Sequence, residues 1–311
     1  MTASESVPPP PLARSGPDRA AEERATPGLL ERARADAATR VLVLNGDSAP
    51  LATDEALFWT SPGEVTTRAG DAPRGPEWAF LGRDDAGAAL LTAAFPRTDD
   101  ELFSAPAGWA ALRTVGGSLS AWDAGAFVEA LSVGRWLLEA PYCPACGHRT
   151  EVRNAGWSRH CPSCGREHFP RTDPAVIVAI TSARHPDRLL LGSNAMWGGS
   201  RFSCFAGFVE AGESLEAAVA REVREEAGVD LVDVRYRGSQ AWPYPRSLML
   251  GFLATAADDA AAEADGEEIL AVRWFDRAEI GAGLAGESDL QLPGRASIAH
   301  SLISGWYAGS A

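Results

Sequence analysis

Lysine is missing altogether: every one of the 28 basic residues is an arginine. That removes any chemistry that needs a primary-amine side chain, including Schiff-base catalysis and the lysine of a Walker-type phosphate loop. Positive charge is scarce as a whole, 28 basic against 42 acidic residues for a net charge of −14, which argues against a broad phosphate-tracking surface for long nucleic acids. A small anionic substrate held through a metal ion remains compatible with this balance. No apolar run approaches the roughly 20 residues that span a bilayer, so no membrane partner is expected. The opening stretch, MTASESVPPPPLARSGPDRAAEERATPG (residues 1–28), lacks the apolar centre of a secretory signal. Its Pro, Ala and charge content reads as a disordered tail, and the cytoplasm is the expected compartment.

What is present suffices for two compact domains: 311 residues, 46% of them hydrophobic. Over residues 29–139, short apolar segments alternate with turn residues. TRVLVLNGD, EALFWTSPGE, EWAFLGR and ALLTAAFP read as strands, the last two as a hairpin across Asp84–Gly87. SAWDAGAFVEALSVGRWLLEA carries Phe127 and Leu131 at helical spacing. This is a small α+β domain whose residues name no chemistry. An insert of distinct composition follows at 140–170. From 171 to 311, the strands AVIVAIT, RLLLGS, SLMLGFLAT and ILAVRWF alternate with two helical stretches, one acidic and one C-terminal. That alternation predicts a sheet layered between helices, an α/β/α sandwich, and an α+β class for the chain as a whole.

Only five cysteines occur, and four of them form two C-x-x-C pairs, Cys143/Cys146 and Cys161/Cys164, with fourteen residues between the pairs. Four thiolates at that spacing complete a closed tetrahedral shell for one structural Zn²⁺ per chain. Two disulfides are the competing assignment, disfavoured where thiols stay reduced. His148 and His160 neighbour the quartet, but four cysteines already suffice. Cys204, in an apolar run, reads as a buried free thiol. Zinc ribbons often bind nucleic acid; here Arg149, Arg153, Arg159 and Arg166 are diluted by Glu151 and Glu167, which favours a role in holding domains or subunits together.

The segment GFVEAGESLEAAVAREVREEAGV, Gly207–Val229, is the most informative. Ser214 is a plausible N-cap and Gly228 a C′ residue, bounding a helix whose buried stripe is Leu215, Val219 and Val223. Glu222, Glu225 and Glu226 stand at i, i+3 and i+4, so their carboxylates share one face and repel by a few tenths of a kcal/mol per pair when exposed. A solvated acidic face is the ordinary explanation for such a run. Here the glutamates come with fixed companions, Gly207, Glu213, Arg221 and Gly228; seven specified residues at about 7% each match by chance on the order of once in 10⁸ positions.

This segment resembles the box of the Nudix hydrolase family at every specified position. The resemblance implies a loop, helix and loop docked on an α/β/α sandwich, with glutamates binding two or three Mg²⁺ or Mn²⁺ ions, hard cations that take carboxylate oxygens and share their shells with phosphates. Carried over by position, Glu222 and Glu226 are direct ligands and Glu225 a direct or water-mediated one. Arg221 orients the carboxylates, and Glu222, Glu225, Glu226 and Arg221 form the catalytic set. Gly207 lets the backbone approach the metal, helped by the Ala206 carbonyl, while Glu213 fixes the loop.

Ten residues beyond the box, SQAWPYPRS (Ser239–Ser247) sets two aromatics between prolines beside hydrogen-bonding groups, an arrangement suited to a base. A rigid strand entry with core aromatics is the bland reading. The array resembles the signature of the NADH pyrophosphatase branch of the family, which also carries a four-cysteine ribbon before its catalytic domain. It departs at Ala241, where the pattern has Pro, and at Tyr244, where it has Phe. The likeness runs from about Arg113 to Leu302. It implies substrate contacts from Gln240, Ala241, Trp242, Pro243, Tyr244, Pro245, Arg246 and Ser247. Ala299, Phe169 (where the pattern has Tyr) and Arg113 are further implied contacts. The segment GEEILAVRWF implies a distal metal-binding glutamate at Glu268, with Glu267 as the alternative. The implied reaction is hydrolysis of NADH or NAD⁺ to nicotinamide mononucleotide and AMP by a homodimer. Removal of NAD caps from RNA 5′ ends is the same cut on a longer partner, and a non-catalytic nucleotide or nucleic-acid sensor on a Nudix shell is the other alternative.

Overall fold

The computed structural model describes residues 9–14, 16–68, 75–197 and 199–309. They cluster into two compact units, one made of the described residues within 1–13, 173–242 and 247–311, the other of those within 14–172 and 243–246.

In the second of these, strands β1 (Arg40–Asn45), β2 (Ser48–Thr53), β3 (Ala56–Leu57), β4 (Glu77–Arg83), β5 (Ala89–Phe95) and β6 (Trp109–Ala111) form a sheet of order β3-β2-β1-β5-β4, with β6 pairing β2. Its helices are α1 (Leu29–Ala35), α2 (Pro62–Arg68), α3 (Leu112–Val115) and α4 (Ala121–Glu139). The expected β4–β5 hairpin forms, and β1 lies parallel to β5 at the centre, where Val41, Leu42, Val43 and Leu44 are all buried. A run without alternation is what a strand covered on both faces requires. EALFWTSPGE, expected as one strand, gives only the short β3 before Pro62 opens α2, as proline at a helix start permits.

The disordered tail expected over 1–28 is corrected for the described part of it. Asp18 bridges to Arg83, whose guanidinium grips Glu23 at 2.7 and 2.6 Å, and Arg24 stacks over Trp157 at 3.5 Å. Composition hid this because each anchoring residue finds its partner far along the chain. Residues 1–8 lie outside the described residues.

Strands β7 (Glu151–Arg153), β8 (Ser158–His160) and β9 (Glu167–His168) make the ribbon's small sheet. The ribbon is stitched to the same unit by the Trp157 indole, which donates to the Phe80 carbonyl at 2.7 Å, and by Arg159. Arg159 is 2% exposed and donates to the Leu137 carbonyl at 2.6 Å. It serves packing and not a charged surface.

The other unit holds β10 (Asp173–Thr181), β11 (Arg188–Asn194), β12 (Phe205–Phe208), β13 (Leu231–Trp242), β14 (Ser247–Ala256) and β15 (Ile269–Asp276) in the order β13-β14-β10-β11-β15, with β12 on β10. Successive residues of β10 serve opposite cores. Val176, Val178 and Ile180 pack under α5 (Leu215–Ala227), against Val219 and Val223. Ile177 and Ala179 pack with Ile298, Leu302 and Trp306 of α7 (Ile298–Tyr307) and with Ile280 of α6 (Arg277–Ala285). The expected α/β/α sandwich is therefore present. Helix α6 is an addition to the expected two, opened by a capping box between Asp276 and Glu279. Strand β13 is another, its alternation blurred by bulges against β14.

Candidate active site

Helix α5 begins and ends where its capping residues dictate. The Ser214 hydroxyl accepts the Ala217 N–H at 3.2 Å, and Gly228 takes the left-handed conformation at φ 66°. Its Glu222 and Glu226 turn toward a cavity of 440 Å³, which is also lined by Ala206, Gly207, Arg221, Ser247 and Glu268. Three carboxylates from two elements distant in sequence thus meet one space. Ser247 and Met249 reach it because they are two apart on β14 and share a face, and Ala175 lies beside Met249 in the register.

Arg221 organises the loop before the helix. Its Nε and Nη2 donate to the two Glu213 oxygens at 2.9 Å each, and its Nη1 donates to Glu222 at 2.9 Å and Glu225 at 3.0 Å. Nη2 also reaches the Phe208 carbonyl at 2.9 Å. One planar guanidinium therefore fixes strand, loop and helix together, which a lysine could not do. The Arg221 fork holds the Glu213 carboxyl down at about 2. Burial pushes Glu222 above the ordinary carboxylate range while Arg221 pulls against it.

Glu226 is the most strained of the acids. It is 5% exposed, and burial, followed by the charges of Glu268, Glu222 and Asp265, pushes its carboxyl up to about 8 despite a hydrogen bond from the Ala206 backbone. Its Oε2 has no hydrogen-bond partner. A buried carboxylate oxygen left open toward like charges fits a site completed by a cation. Among the described residues, the four cysteines form a group of potential metal ligands whose atoms all lie within 4.8 Å of one another.

Gly207 explains itself here. A Cβ at this position would lie 1.9 Å from Cδ of Glu222, so glycine makes room for the carboxylate. Gly207→Ala is expected to displace Glu222 and lower turnover at least about tenfold, since overpacking costs about 1–3 kcal/mol. Adding the same change to Glu222→Gln is expected to cost little more. Steady-state kinetics of the two single variants and the double variant measure this, and additive losses would refute it.

The Glu225 side chain is 59% exposed and pairs with Arg221 at 3.0 Å. The aromatic array divides. Both ends of the Gln240 amide are taken, its oxygen by the Leu12 N–H at 3.3 Å and its nitrogen by the Ala296 carbonyl at 3.0 Å. Gln240 thus fastens the N-terminal segment and the approach to α7. Ala241 and Trp242 finish β13, whereas Pro243, Tyr244, Pro245 and Arg246 cluster with the other unit. There the Tyr244 hydroxyl accepts the Arg113 backbone N–H at 3.0 Å. Phe169 is 48% exposed, and Ala299 is buried on the core side of α7 itself. Glu268, rather than Glu267, lines the cavity. Phe208 and Glu210 line it as well and were missed; they occupy unspecified positions of the box, and only their place next to Gly207 could have signalled them.

The cysteine quartet forms two matching knuckles. Gly147 donates to the Cys143 carbonyl at 2.8 Å and Gly165 to that of Cys161 at 2.9 Å, each glycine at φ 73°. Sulfur separations of 3.6 Å (Cys143 to Cys164) and 3.5 Å (Cys146 to Cys161) are far beyond a disulfide's ~2.05 Å. They are close to the ~3.8 Å edge of a tetrahedron with 2.3 Å zinc–sulfur bonds. Neither His148 nor His160 joins the group. Cys204 is a free thiol, and burial pushes it up to about 12.

Residues 171–293 match the family described as NUDIX domain, and residues 139–169 match the NADH pyrophosphatase zinc ribbon domain. The chain is 39% identical to the NAD-capped RNA hydrolase NudC of Mycobacterium tuberculosis (strain ATCC 25618 / H37Rv), over 96% of this chain and 94% of that protein. It is 39% identical to the NAD-capped RNA hydrolase NUDT12 of Macaca fascicularis over 59% of this chain and 42% of that one. A crystal structure of a NUDIX hydrolase from Nitrosomonas europaea aligns at TM-score 0.43 and 22% identity, over 54% of this chain and 90% of that chain.

Proposed function

The chain belongs to the Nudix hydrolase family, in the branch that joins an NADH pyrophosphatase zinc ribbon to the Nudix domain, and we propose that it cleaves the pyrophosphate bond of NADH or NAD⁺ to nicotinamide mononucleotide and AMP. The observation that carries the reading is the partnerless, buried Glu226 oxygen beside Glu222 and Glu268 in one cavity. Glu222, Glu226 and Glu268, with the Ala206 carbonyl, would hold two or three Mg²⁺ or Mn²⁺ ions, which when bound polarise phosphoryl oxygens and lower the pKa of water. Arg221 keeps Glu222 in place, and Gly207 admits it. Water adds at one phosphorus, the P–O–P bridge breaks, and each product keeps one phosphate. The aromatic residues of the array, with Arg113 and Phe169, belong to the same proposal as contacts for the bases and riboses. So do Ala299, homodimeric assembly and a cytoplasmic setting. No described helix is long and apolar enough to cross a membrane.

The test is incubation with NADH and Mn²⁺ followed by product separation. Reduced nicotinamide mononucleotide and AMP in equal amounts are expected; binding of NADH without release of AMP would leave a nucleotide sensor instead. A second reading, removal of NAD caps from RNA, is supported by the activity named for the relatives. The net charge of −14 favours the free dinucleotide, and kcat/KM measured on both substrates decides between them.

Protonation of Glu226 gives a further handle. Its folded pKa, about 8, lies above the 4.5 of an ordinary carboxyl. Its contribution to stability is therefore full below pH 4.5 and is lost as pH rises through 8. Divalent cations require the carboxylate and offset this loss. The rise in Tm on adding Mg²⁺ is expected to grow between pH 5 and pH 8, and an equal rise at both values would contradict the assignment.

A further inference from the structure

Glu268 sits on a loop that the box does not specify, immediately before β15. A glutamate on an exposed loop has many conformations, and a ligand must adopt few of them. The loop is held from two sides. One oxygen of Asp265, Oδ1, accepts three successive backbone N–H groups, from Glu267 at 2.9 Å, Glu268 at 3.1 Å and Ile269 at 2.9 Å. Gly266, at φ 77°, permits the turn and donates to the Ile269 carbonyl at 3.0 Å.

From β11, the Ala195 N–H donates to the Glu268 carbonyl at 2.8 Å. The Asn194 amide nitrogen reaches Glu268 Oε1 at 3.4 Å, and its own oxygen is fixed by the Met196 N–H at 2.9 Å. The β11–β15 register shifts between Ser193 and Asn194, so that Asn194 faces Ile269 while Leu270 is passed over. That irregularity is what brings Asn194 level with Glu268 instead of continuing the ladder.

We propose that Asp265 and Asn194 are positioning residues for Glu268: Asp265 fixes the backbone that carries it, and Asn194 aims its carboxylate into the cavity. The inference rests on the reading of Glu268 as a metal ligand. It assigns Asp265 Oδ1 the role of hydrogen-bond acceptor for three successive backbone donors. Asparagine keeps such an acceptor, and alanine removes it. Loss of a group that orients a ligand typically costs 10–100-fold in metal affinity or activity.

The experiment measures Mn²⁺ affinity by electron paramagnetic resonance on the zinc-loaded full chain, together with kcat and KM for NADH, in wild type, Asp265→Ala, Asp265→Asn and Asn194→Ala. Asp265→Ala is expected to bind Mn²⁺ about 10-fold or more weakly and to lose kcat with little change in KM. Asp265→Asn is expected to stay within about 3-fold of wild type, and Asn194→Ala to fall between them. Thermal melting identifies any variant that fails to fold. Unchanged Mn²⁺ affinity in Asp265→Ala, or an Asp265→Asn variant as impaired as the alanine one, would overturn the proposal. Because Mn²⁺ binding is read directly, a wild type that binds the ion but leaves NADH intact sinks the proposed substrate without touching this inference.

Discussion

Glu226→Gln is expected to abolish turnover of NADH, by roughly 10³-fold or more, while the protein keeps its fold and its zinc. A neutral amide is nearly the same size as the carboxylate it replaces, so the packing around Val219 and Val223 survives. What is lost is the negative oxygen that a hard cation requires. Burial sharpens the contrast: the native carboxylate is uncomfortable in the absence of a counter-charge, with Oε2 unpartnered and its pKa pushed to about 8. Without divalent ions, Glu226→Gln is therefore expected to be more stable than wild type at pH 8, since it deletes a buried charge. Glu222→Gln is expected to lose comparable activity but to gain less stability, because Arg221 already compensates Glu222 at 2.9 Å. Kinetics and thermal melting on the same samples measure both effects. A Glu226→Gln enzyme with near-normal turnover would remove the basis for the proposed mechanism.

The second large effect concerns the ribbon. Cys161→Ser is expected to release zinc and to unfold or strongly destabilise the unit that contains residues 14–172. Structural zinc contributes on the order of 10 kcal/mol in small zinc domains at neutral pH, comparable with the whole stability of an ordinary domain, roughly 5–15 kcal/mol. Cys161 is fully buried, so the knuckle cannot re-form around water. The damage does not stay local, because Arg159 is plugged into the Leu137 carbonyl at the end of α4 and Trp157 into the Phe80 carbonyl of β4. Chelation with verified zinc loss is expected to act in the same way. Zinc content by elemental analysis with circular dichroism checks it, and an apo protein of unchanged structure and melting temperature would contradict the role given to the ribbon.

The parts of this molecule that could be read from sequence are those in which a residue type is forced by local chemistry. Two C-x-x-C pairs followed by glycine admit few structures, and both knuckles form as expected. Ser214 and Gly228 bound α5 because only such residues satisfy its ends. The consecutive apolar runs in β1 and β10 read as strands, and strands form there, buried along their apolar stretches. Legibility fails where a residue's role depends on a partner far along the chain. Nothing near Gln240 says that its amide is committed to Leu12 and Ala296, and nothing in a Pro-rich, charged N-terminus says that Arg24 stacks on Trp157. Glu225 is instructive in the same way. The box places it beside Glu222, yet its side chain is 59% exposed and pairs with Arg221, whereas Glu222 is enclosed at 14%. Asp265 carries no motif at all, and its function is visible only once three N–H groups are seen to converge on one oxygen.

The most direct test of the central claim, that Glu222, Glu226 and Glu268 grip divalent cations where a diphosphate bridge is cut, is anomalous diffraction from Mn²⁺-soaked crystals of the full chain. Manganese peaks bonded to the Glu222 and Glu226 carboxylates, with Glu268 and the Ala206 carbonyl completing the shells, are the expected result. Manganese bound elsewhere, with these three side chains uncoordinated in well-occupied crystals, would contradict it.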